Sequence, residues 1–290
     1  MLLIIEALLI LSALGQVSLC SGMNITDINT DHVIIMIVWL QDHRAAAEEI
    51  TLDMAPDSFD DQYDDDLYDG CTEKMKKLVD TEYLEKELEK SEDFKDVWEA
   101  GENQFKAGED NLTRKQLIAM YVYTSNRVYV DFNAAVRTGK KNYKDETFTW
   151  FSLHFLLTKA LQILKKTQKK SYSTIYRGTD SKFVGEKGIT FRFGSFASFS
   201  LDKSEAQKYA KIPGKRSETG TCFEINDYEG AELTKYSIYI EEEVLIPPYE
   251  IFKVTDVRTN DWCSKVFVLK SVGGKSNLNC ALIKHKTNIL

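Results

Sequence analysis

The sequence predicts an α+β protein in which a mostly helical part is followed by a β-rich part. Between residues 71 and 170 the apolar residues recur at helical spacing. From Thr174 onward, short β-rich runs alternate with Gly, Asn, Asp and Pro. A chain of 290 residues, 43% of them hydrophobic, can bury a full core as one large domain or two small ones.

The first 22 residues combine an apolar stretch with small residues near Cys20, as is typical of a cleaved signal peptide. They lack Lys and Arg and contain Glu6, which leaves a membrane anchor as the alternative. A second apolar run, residues 33–40, is shorter than the roughly 20 residues that span a bilayer. We therefore expect cleavage of residues 1–22, an N-terminal extension over residues 23–50, and a secreted mature chain without a transmembrane helix.

Helices are predicted across residues 51–170, and the clearest covers residues 150–166 (WFSLHFLLTKALQILKK). Its apolar residues recur at intervals of three and four, which indicates a buried helix. An acidic stretch, residues 57–70 (DSFDDQYDDDLYDG), lies before Cys71. We interpret it most simply as a solvated surface segment.

The β-rich part, residues 171–290, includes the run YIEEEVLIPPYEIF. If this run is extended, Glu241 and Glu243 point to one face and Glu242 to the other, with the pair about 7 Å apart. Such a pair at the start of a strand is most often simply solvated. Glu243, however, adjoins the apolar residues 244–246, where a carboxylate is costly unless another group bonds it.

Two other stretches offer partners for these carboxylates. Arg177 ends a predicted strand and is suited to a bidentate phosphate contact, and Gly178 would let a ligand approach the backbone closely. Ser198 and Ser200 share one face of another predicted strand, and their hydroxyls could bond a carboxylate. A surface ion pair for the arginine and outward positions for the serines are the ordinary alternatives.

Composition and motifs exclude several classes of function. A net charge of -8 argues against a nucleic-acid partner. The four histidines are scattered and no C-x-x-C occurs, so no metal site is expected. The VGGKS run, residues 272–276, lacks the first glycine of a phosphate-binding loop, and no G-x-G-x-x-G, H-E-x-x-H or G-x-S-x-G motif occurs.

Cysteines and sequons agree with an extracellular product. Removal of the signal peptide leaves Cys71, Cys222, Cys263 and Cys280, which can pair in three ways. Two sequons, NIT at Asn24 and NLT at Asn111, are candidate glycosylation sites. The residues alone leave the choice among the three pairings open.

Taken together and in order, these motifs resemble one family, the vertebrate ecto-ADP-ribosyltransferases, which are arginine-specific mono-ADP-ribosyltransferases with an R-S-E-x-E site. The resemblance covers nearly the whole mature chain and is carried by LDMAPDSFDDQY, MYVYTS, DFNAAVR, LHFLLTKAL, YRG, RFGSFASFSL, EEEVLIPPYEIFKV and SNLNCALIK. It implies a catalytic domain over residues 51–290. The β-rich core of that domain would be mainly antiparallel, in two packed sheets beside an NAD cleft.

The resemblance also implies a role for each motif residue. Arg177, with Gly178 beside it, would contact NAD near its phosphates. Ser198 would support the catalytic glutamate and the nicotinamide ribose. Glu243 would be that catalytic glutamate, and Glu241 would direct transfer to arginine. The departure at Phe199, where relatives more often carry Ser or Thr, is expected to change packing on the opposite face rather than activity.

The resemblance implies a disulfide between Cys71 and Cys280, which leaves Cys222 and Cys263 as the second pair. Residues 65–69 look inserted relative to the family. Tyr209 is a further candidate, for stacking on the nicotinamide, although a core or surface role is the common one for a tyrosine.

The implied function is transfer of a single ADP-ribose from NAD+ to arginines exposed on extracellular or cell-surface proteins, by a monomer that uses no metal. Two alternatives remain open: an enzyme that mainly hydrolyses NAD+, and a non-catalytic secreted binding protein of the same fold. The intact set of Arg177, Ser198, Glu241 and Glu243 weighs against the second alternative.

Overall fold

The computed structural model describes residues 50–52, 63–168, 174–211, 219–239 and 242–288. Its helical part contains α1 Thr72–Leu78, a π-helical turn Val79–Tyr83, α2 Leu84–Lys90, α3 Glu92–Gln104, α4 Arg114–Tyr123, α5 Tyr129–Thr138, α6 Lys140–Lys144 and α7 Phe151–Thr167. The helix expected over residues 150–166 is observed as α7. None of the helices in these ranges is long and apolar enough to cross a membrane.

The β-rich part contains β2 Ile175–Thr179, β3 Phe183–Val184, β4 Thr190–Phe191, β5 Ala197–Ser200, α8 Lys203–Tyr209, β6 Thr221–Ile225, β7 Ala231–Glu232, β8 Glu243–Ile246, β9 Glu250–Thr259, β10 Lys265–Gly274 and α9 Ala281–Asn288. Eight strands form one sheet in the order β4-β9-β10-β6-β2-β5-β8-β7. Within it only β6 and β10 pair in parallel. An early strand, β1 Ile50–Thr51, pairs in parallel with β3. The predicted α+β class with a mainly antiparallel sheet is confirmed.

The eight-stranded sheet has two sections, which correspond to the two packed sheets expected from the sequence. The five-stranded section ends at β2 and the three-stranded section begins at β5, and one residue pair, Tyr176 and Ser200, joins them. Ile175 and Phe223 of one section share a buried cluster with Phe199 and Val244 of the other. The structure thus differs from the expectation in one respect: the packed sections belong to a single hydrogen-bonded sheet.

The other face of the three-stranded section packs against the helices. Leu245 of β8 and Ala231 of β7 belong to the same buried cluster as Leu157 of α7 and Met120 of α4. Both faces of β8 are therefore covered by apolar side chains, and Val244, Leu245 and Ile246 are all fully buried. This packing holds Glu243, at the first position of the strand, at a fixed depth.

The start of α7 is capped by a side chain from another helix. Its own N-cap residue, Trp150, makes no side-chain cap bond. Instead, the buried Glu87 of α2 accepts the backbone N–H of Ser152 with both carboxyl oxygens, at 3.3 and 3.0 Å. Burial raises the pKa of Glu87 to about 8, against the opposing effect of these hydrogen bonds.

This contact predicts a pH-dependent stability. Because the pKa of Glu87 is about 8 in the folded state, against an ordinary value of 4.5 for a glutamate, the folded state binds more protons between these pH values. The free energy of unfolding therefore falls as pH rises through that window. In Glu87→Gln the free energy of unfolding should fall less steeply with pH than in the wild type, by up to about 1.4 kcal/mol per pH unit. Denaturant unfolding at pH 5.5 and 7.5 measures the two slopes. The exposed Glu85→Gln on the same helix is the control, and an equal pH slope in wild type and Glu87→Gln would refute the prediction.

The acidic stretch before Cys71 is buried at residues 64–66, so its interpretation as a solvated surface segment is wrong at these positions, although Asp69 is exposed. Residues 57–62 of the stretch lie outside the described residues. Asp64, Asp65 and Asp66 are at most 2% exposed. Asp65 accepts Nη1 of the buried Arg192 at 2.7 Å and the backbone N–H of Leu278 at 3.0 Å. The carboxylate of Asp65 is compensated by partners that lie 127 and 213 positions away along the chain, which a local charge pattern does not indicate.

Asp66 extends this buried contact to the disulfide that joins the two ends of the domain. Its carboxylate accepts Tyr143 Oη at 2.5 Å and the backbone N–H of Cys280 at 2.9 Å, and burial raises its pKa to about 6. Cys280 is bonded to Cys71, and Cys222 is bonded to Cys263. The first is the pair that the family resemblance implies, and the second is the pair that remained by elimination.

Candidate active site

A cleft of about 710 Å³ opens where the two sections of the sheet meet. This volume lies within the range of small-molecule and cofactor sites. Five of the six residues predicted to catalyse the reaction or bind its cofactor line it: Arg177, Gly178, Ser198, Tyr209 and Glu243. Glu241 and Asn24 lie outside the described residues.

Strand register places the serines and Glu243 on one face. In the antiparallel pair β5–β8, Ser200 lies opposite Glu243 and Ser198 lies opposite Leu245. Directly opposed residues share a face of the sheet, so Ser198 is the diagonal neighbour of Glu243. Phe199 is 3% exposed and its ring lies 5.5 Å from that of Phe193 in the buried cluster between the sections, which confirms that it points away from the serines.

Arg177 connects the two sections at the cleft. Its Nη1 atom donates to the carbonyl oxygen of Ser198 at 2.8 Å. The half-buried guanidinium is thus fixed next to the serine strand. A planar guanidinium with five N–H donors is suited to bind a diphosphate group.

Gly178 is required by a helix rather than by a ligand. A Cβ atom at this position would lie 2.0 Å from the carbonyl oxygen of Ala206 in α8, so only glycine allows α8 to pack directly on β2. A ligand was expected to approach the backbone closely at Gly178, and in the structure the close neighbour is α8. The same packing brings Tyr209, the last residue of α8, to the cleft wall.

Tyr123, at the end of α4, is a cleft residue that sequence reasoning missed. Its Oη atom lies 3.5 Å from Ser198 Oγ, and Asn133 Nδ2 donates to it at 3.2 Å. Burial, and secondarily the negative charge of Glu243, raise the pKa of Tyr123 to about 12. The phenol therefore keeps its proton at neutral pH. Tyr123 belongs to the MYVYTS motif, which contributed to the family resemblance but did not indicate a role for this tyrosine.

A second cleft arginine was also missed. Arg137 of α5 lines the cleft, and its Nη1 atom donates to Ser195 Oγ at 3.0 Å. Asn133 lies one helical turn earlier, in the DFNAAVR motif, and lines the same wall. With Arg177 and Arg192, the cleft lining has three guanidinium groups, of which Arg192 is paired with Asp65. The N–H donors of Arg137 and Arg177 are suited to an anionic ligand such as a phosphate group.

The acidic, histidine and cysteine side chains of the described ranges do not converge on a metal site. In these ranges no group of three or more His, Cys, Asp or Glu residues is placed to hold a metal ion. The chemistry that the described cleft offers is hydrogen bonding by arginine, serine and tyrosine, beside three glutamates, Glu205, Glu242 and Glu243. Of these, Glu243 shares a face of the sheet with Ser198 and Ser200.

Comparison with known families identifies this class of domain. The model of the NAD:arginine ADP-ribosyltransferase family matches residues 52–277, which include both sections of the sheet and the cleft residues Arg177, Ser198 and Glu243. The chain belongs to this family.

Named relatives are similar over most of their length. Human ecto-ADP-ribosyltransferase 4 is 34% identical over 82% of this chain and 75% of its own, and rat T-cell ecto-ADP-ribosyltransferase 1 is 34% identical over 80% of each chain. Chicken NAD(P)(+)--arginine ADP-ribosyltransferase 2 is 32% identical over 84% of this chain and 77% of its own.

Solved structures show the same fold. The eucaryotic mono-ADP-ribosyltransferase ART2.2 superposes with a TM-score of 0.64 at 32% identity, covering 80% of this chain and 98% of ART2.2. A variant of ART2.2, with a glutamate replaced by isoleucine, was crystallised in complex with NAD and gives the same TM-score at 30% identity over the same shares of the two chains.

Proposed function

We propose that this protein transfers a single ADP-ribose from NAD+ to arginine side chains and releases nicotinamide. One observation carries the proposal: strand register and the Arg177–Ser198 hydrogen bond bring three motifs, far apart in sequence, to one cleft. The relatives named as arginine ADP-ribosyltransferases support the same reaction.

The donor half of the reaction suits the residues of the cleft. The bond between the ribose and nicotinamide breaks, neutral nicotinamide leaves, and positive charge develops on the ribose, so no general acid is needed. The carboxylate of Glu243 would stabilise this charge electrostatically and bond the ribose 2′-hydroxyl. Ser200 lies directly opposite Glu243 and Ser198 lies diagonal to it, on the same face of the sheet. Arg177 and Arg137 would bind the diphosphate.

The acceptor half requires a nucleophilic guanidinium nitrogen at the same ribose carbon. A guanidinium is permanently charged in solution, so it must be oriented and must lose a proton as the new C–N bond forms. Glu241, two positions before Glu243, would bond the acceptor and take that proton. The products are ADP-ribosyl-arginine, nicotinamide and a proton.

We propose that the substrates are extracellular or cell-surface proteins with exposed arginines, and that the enzyme acts as a secreted monomer after loss of residues 1–22. The relatives named as ecto-enzymes support the extracellular location. Asn111 lies on an exposed loop between α3 and α4, accessible to glycosylation. Its φ of 63° is one that asparagine tolerates better than most residues.

Incubation of the purified protein with labelled NAD+, with and without agmatine as a small guanidino acceptor, tests the proposal. A labelled agmatine adduct supports transfer. Free ADP-ribose without an adduct would make the protein an NAD hydrolase, and recovery of intact NAD+ would make it a non-catalytic binding protein.

The role of Glu241 gives a separate prediction. Glu241→Gln should lower transfer to agmatine at least about 100-fold and leave NAD+ hydrolysis within about twofold of wild type, because the donor residues are intact while the acceptor loses its carboxylate. Adduct and free ADP-ribose are measured in the same reaction. Equal loss of both products would show that Glu241 does not select the acceptor.

A further inference from the structure

The connection between β7 and β8 leads directly into Glu243, and its described residues 233–239 are held by the helical part of the protein. Tyr236 Oη donates to Asp110 Oδ2 at 2.6 Å, and the backbone N–H of Ile238 donates to Thr124 Oγ1 at 3.0 Å. Tyr236 is 2% exposed, although its acceptor lies on a surface loop. Two contacts from separate places in the helical part thus fix the first half of the connection.

The bond from Tyr236 to Asp110 is charge-assisted. The hydrogen bond from Tyr236 lowers the pKa of Asp110, and burial, followed by this hydrogen bond, raises the pKa of Tyr236. At neutral pH a neutral phenol therefore donates to an ionised carboxylate, the stronger type of hydrogen bond. A turn, in which the Tyr236 N–H donates to Leu233 O at 2.7 Å, also holds the backbone at this point.

The end of α4 connects this β7–β8 connection to the donor side of the cleft. Tyr123 lies next to Ser198 of β5, and the following residue, Thr124, accepts the N–H of Ile238. Arg177, Ser198 and Glu243 are placed by strand pairing. β7 pairs with β8, and the N–H of Leu233 donates to Glu243 O at 2.8 Å. Residues 234–239 belong to no strand, so their position depends on turn hydrogen bonds and on contacts with the helical part.

The two possible acceptors differ in what they need from this connection. Water can reach a developing cation from many directions, whereas a guanidinium must be held in one orientation for its nitrogen to react. Loss of the contacts from Tyr236 and Ile238 would loosen the acceptor side while the strand-held donor side stays in place.

We propose that Tyr236, together with Asp110 and Thr124, is a positioning residue that fixes the β7–β8 connection for an arginine acceptor and so favours transfer over hydrolysis. This inference rests on the proposed function. Three residues outside the R-S-E-x-E motif would thus set the balance between ADP-ribose transfer and NAD+ hydrolysis.

The test is the ratio of agmatine adduct to free ADP-ribose at saturating NAD+. Tyr236→Phe deletes one hydroxyl and should lower transfer about 10- to 150-fold, the size expected for loss of a hydrogen bond to a charged group, with hydrolysis within about twofold of wild type. Thr124→Val, which keeps the side-chain shape, should lower the ratio in the same direction. Because both products come from the same active molecules, partial unfolding does not change the ratio.

Tyr249→Phe is the matched control, because it removes the hydroxyl of another buried tyrosine outside the connection. Its ratio should equal that of wild type. A wild-type ratio in Tyr236→Phe and Thr124→Val, or equal loss of both products, overturns this inference alone. A wild-type protein that forms no adduct overturns the proposed function as well, so the two failures are distinguishable.

Discussion

Glu243→Gln is expected to lower both ADP-ribose transfer and NAD+ hydrolysis by about 10²- to 10³-fold, the range for loss of one preorganised electrostatic contact to a transition state. Glutamine has nearly the same shape but no charge, so it cannot stabilise the positive charge that develops on the ribose. Both reactions begin by breaking the same bond, and both should therefore be lost together. Rates are measured with labelled NAD+, with and without agmatine.

The adjacent glutamate provides the control for this variant. Glu242 is exposed, and strand alternation places it on the other face from Glu243. Glu242→Gln should keep both activities. Retention of either activity in Glu243→Gln, with the protein folded by circular dichroism, would remove Glu243 from the catalytic role.

Asp65→Ala is expected to lower the free energy of unfolding by about 3–5 kcal/mol, the range for breaking a buried ion pair. The variant leaves the Arg192 guanidinium, whose side chain is 1% exposed, without its carboxylate. It also removes the acceptor of the backbone N–H groups of Asn277 and Leu278, each at 3.0 Å from the carboxylate. Denaturant unfolding with intact disulfides measures the loss.

Asp69→Ala is the matched control, because Asp69 belongs to the same acidic stretch but is exposed. It should change stability by less than about 0.5 kcal/mol. Asp65→Leu combined with Arg192→Met should cost less than the sum of the single changes, because no buried charge is left unpaired. Equal stability of Asp65→Ala and Asp69→Ala would refute the structural role of the buried pair.

Features with a short sequence period were predictable. The 3.6-residue pattern located α7, and the two-residue pattern placed Ser198 and Ser200 on one face with Phe199 on the other. These patterns depend on neighbours within one turn or one strand, so the sequence contains the whole signal.

Features that depend on distant partners were not predictable. The burial of Asp65 requires Arg192, and the role of Gly178 requires the carbonyl of Ala206. Tyr123 and Arg137 reach the cleft only because α4 and α5 pack beside β5. Each is an ordinary helical residue by local pattern, and its position in the cleft follows from tertiary packing alone.

The Cys71–Cys280 bridge also determines how the protein bears mechanical load. It encloses a segment with a sequence separation of 209, which contains α1 to α8 and β2 to β10. Tension applied at the two chain ends passes through the covalent bridge, so only the residues outside it can extend. The cleft residues Arg177, Ser198 and Glu243, which lie inside the bridged segment, are therefore shielded from pulling as long as the bridge is oxidised. After reduction, the force would fall on the buried contacts of Asp65 and Asp66 with residues 277–280.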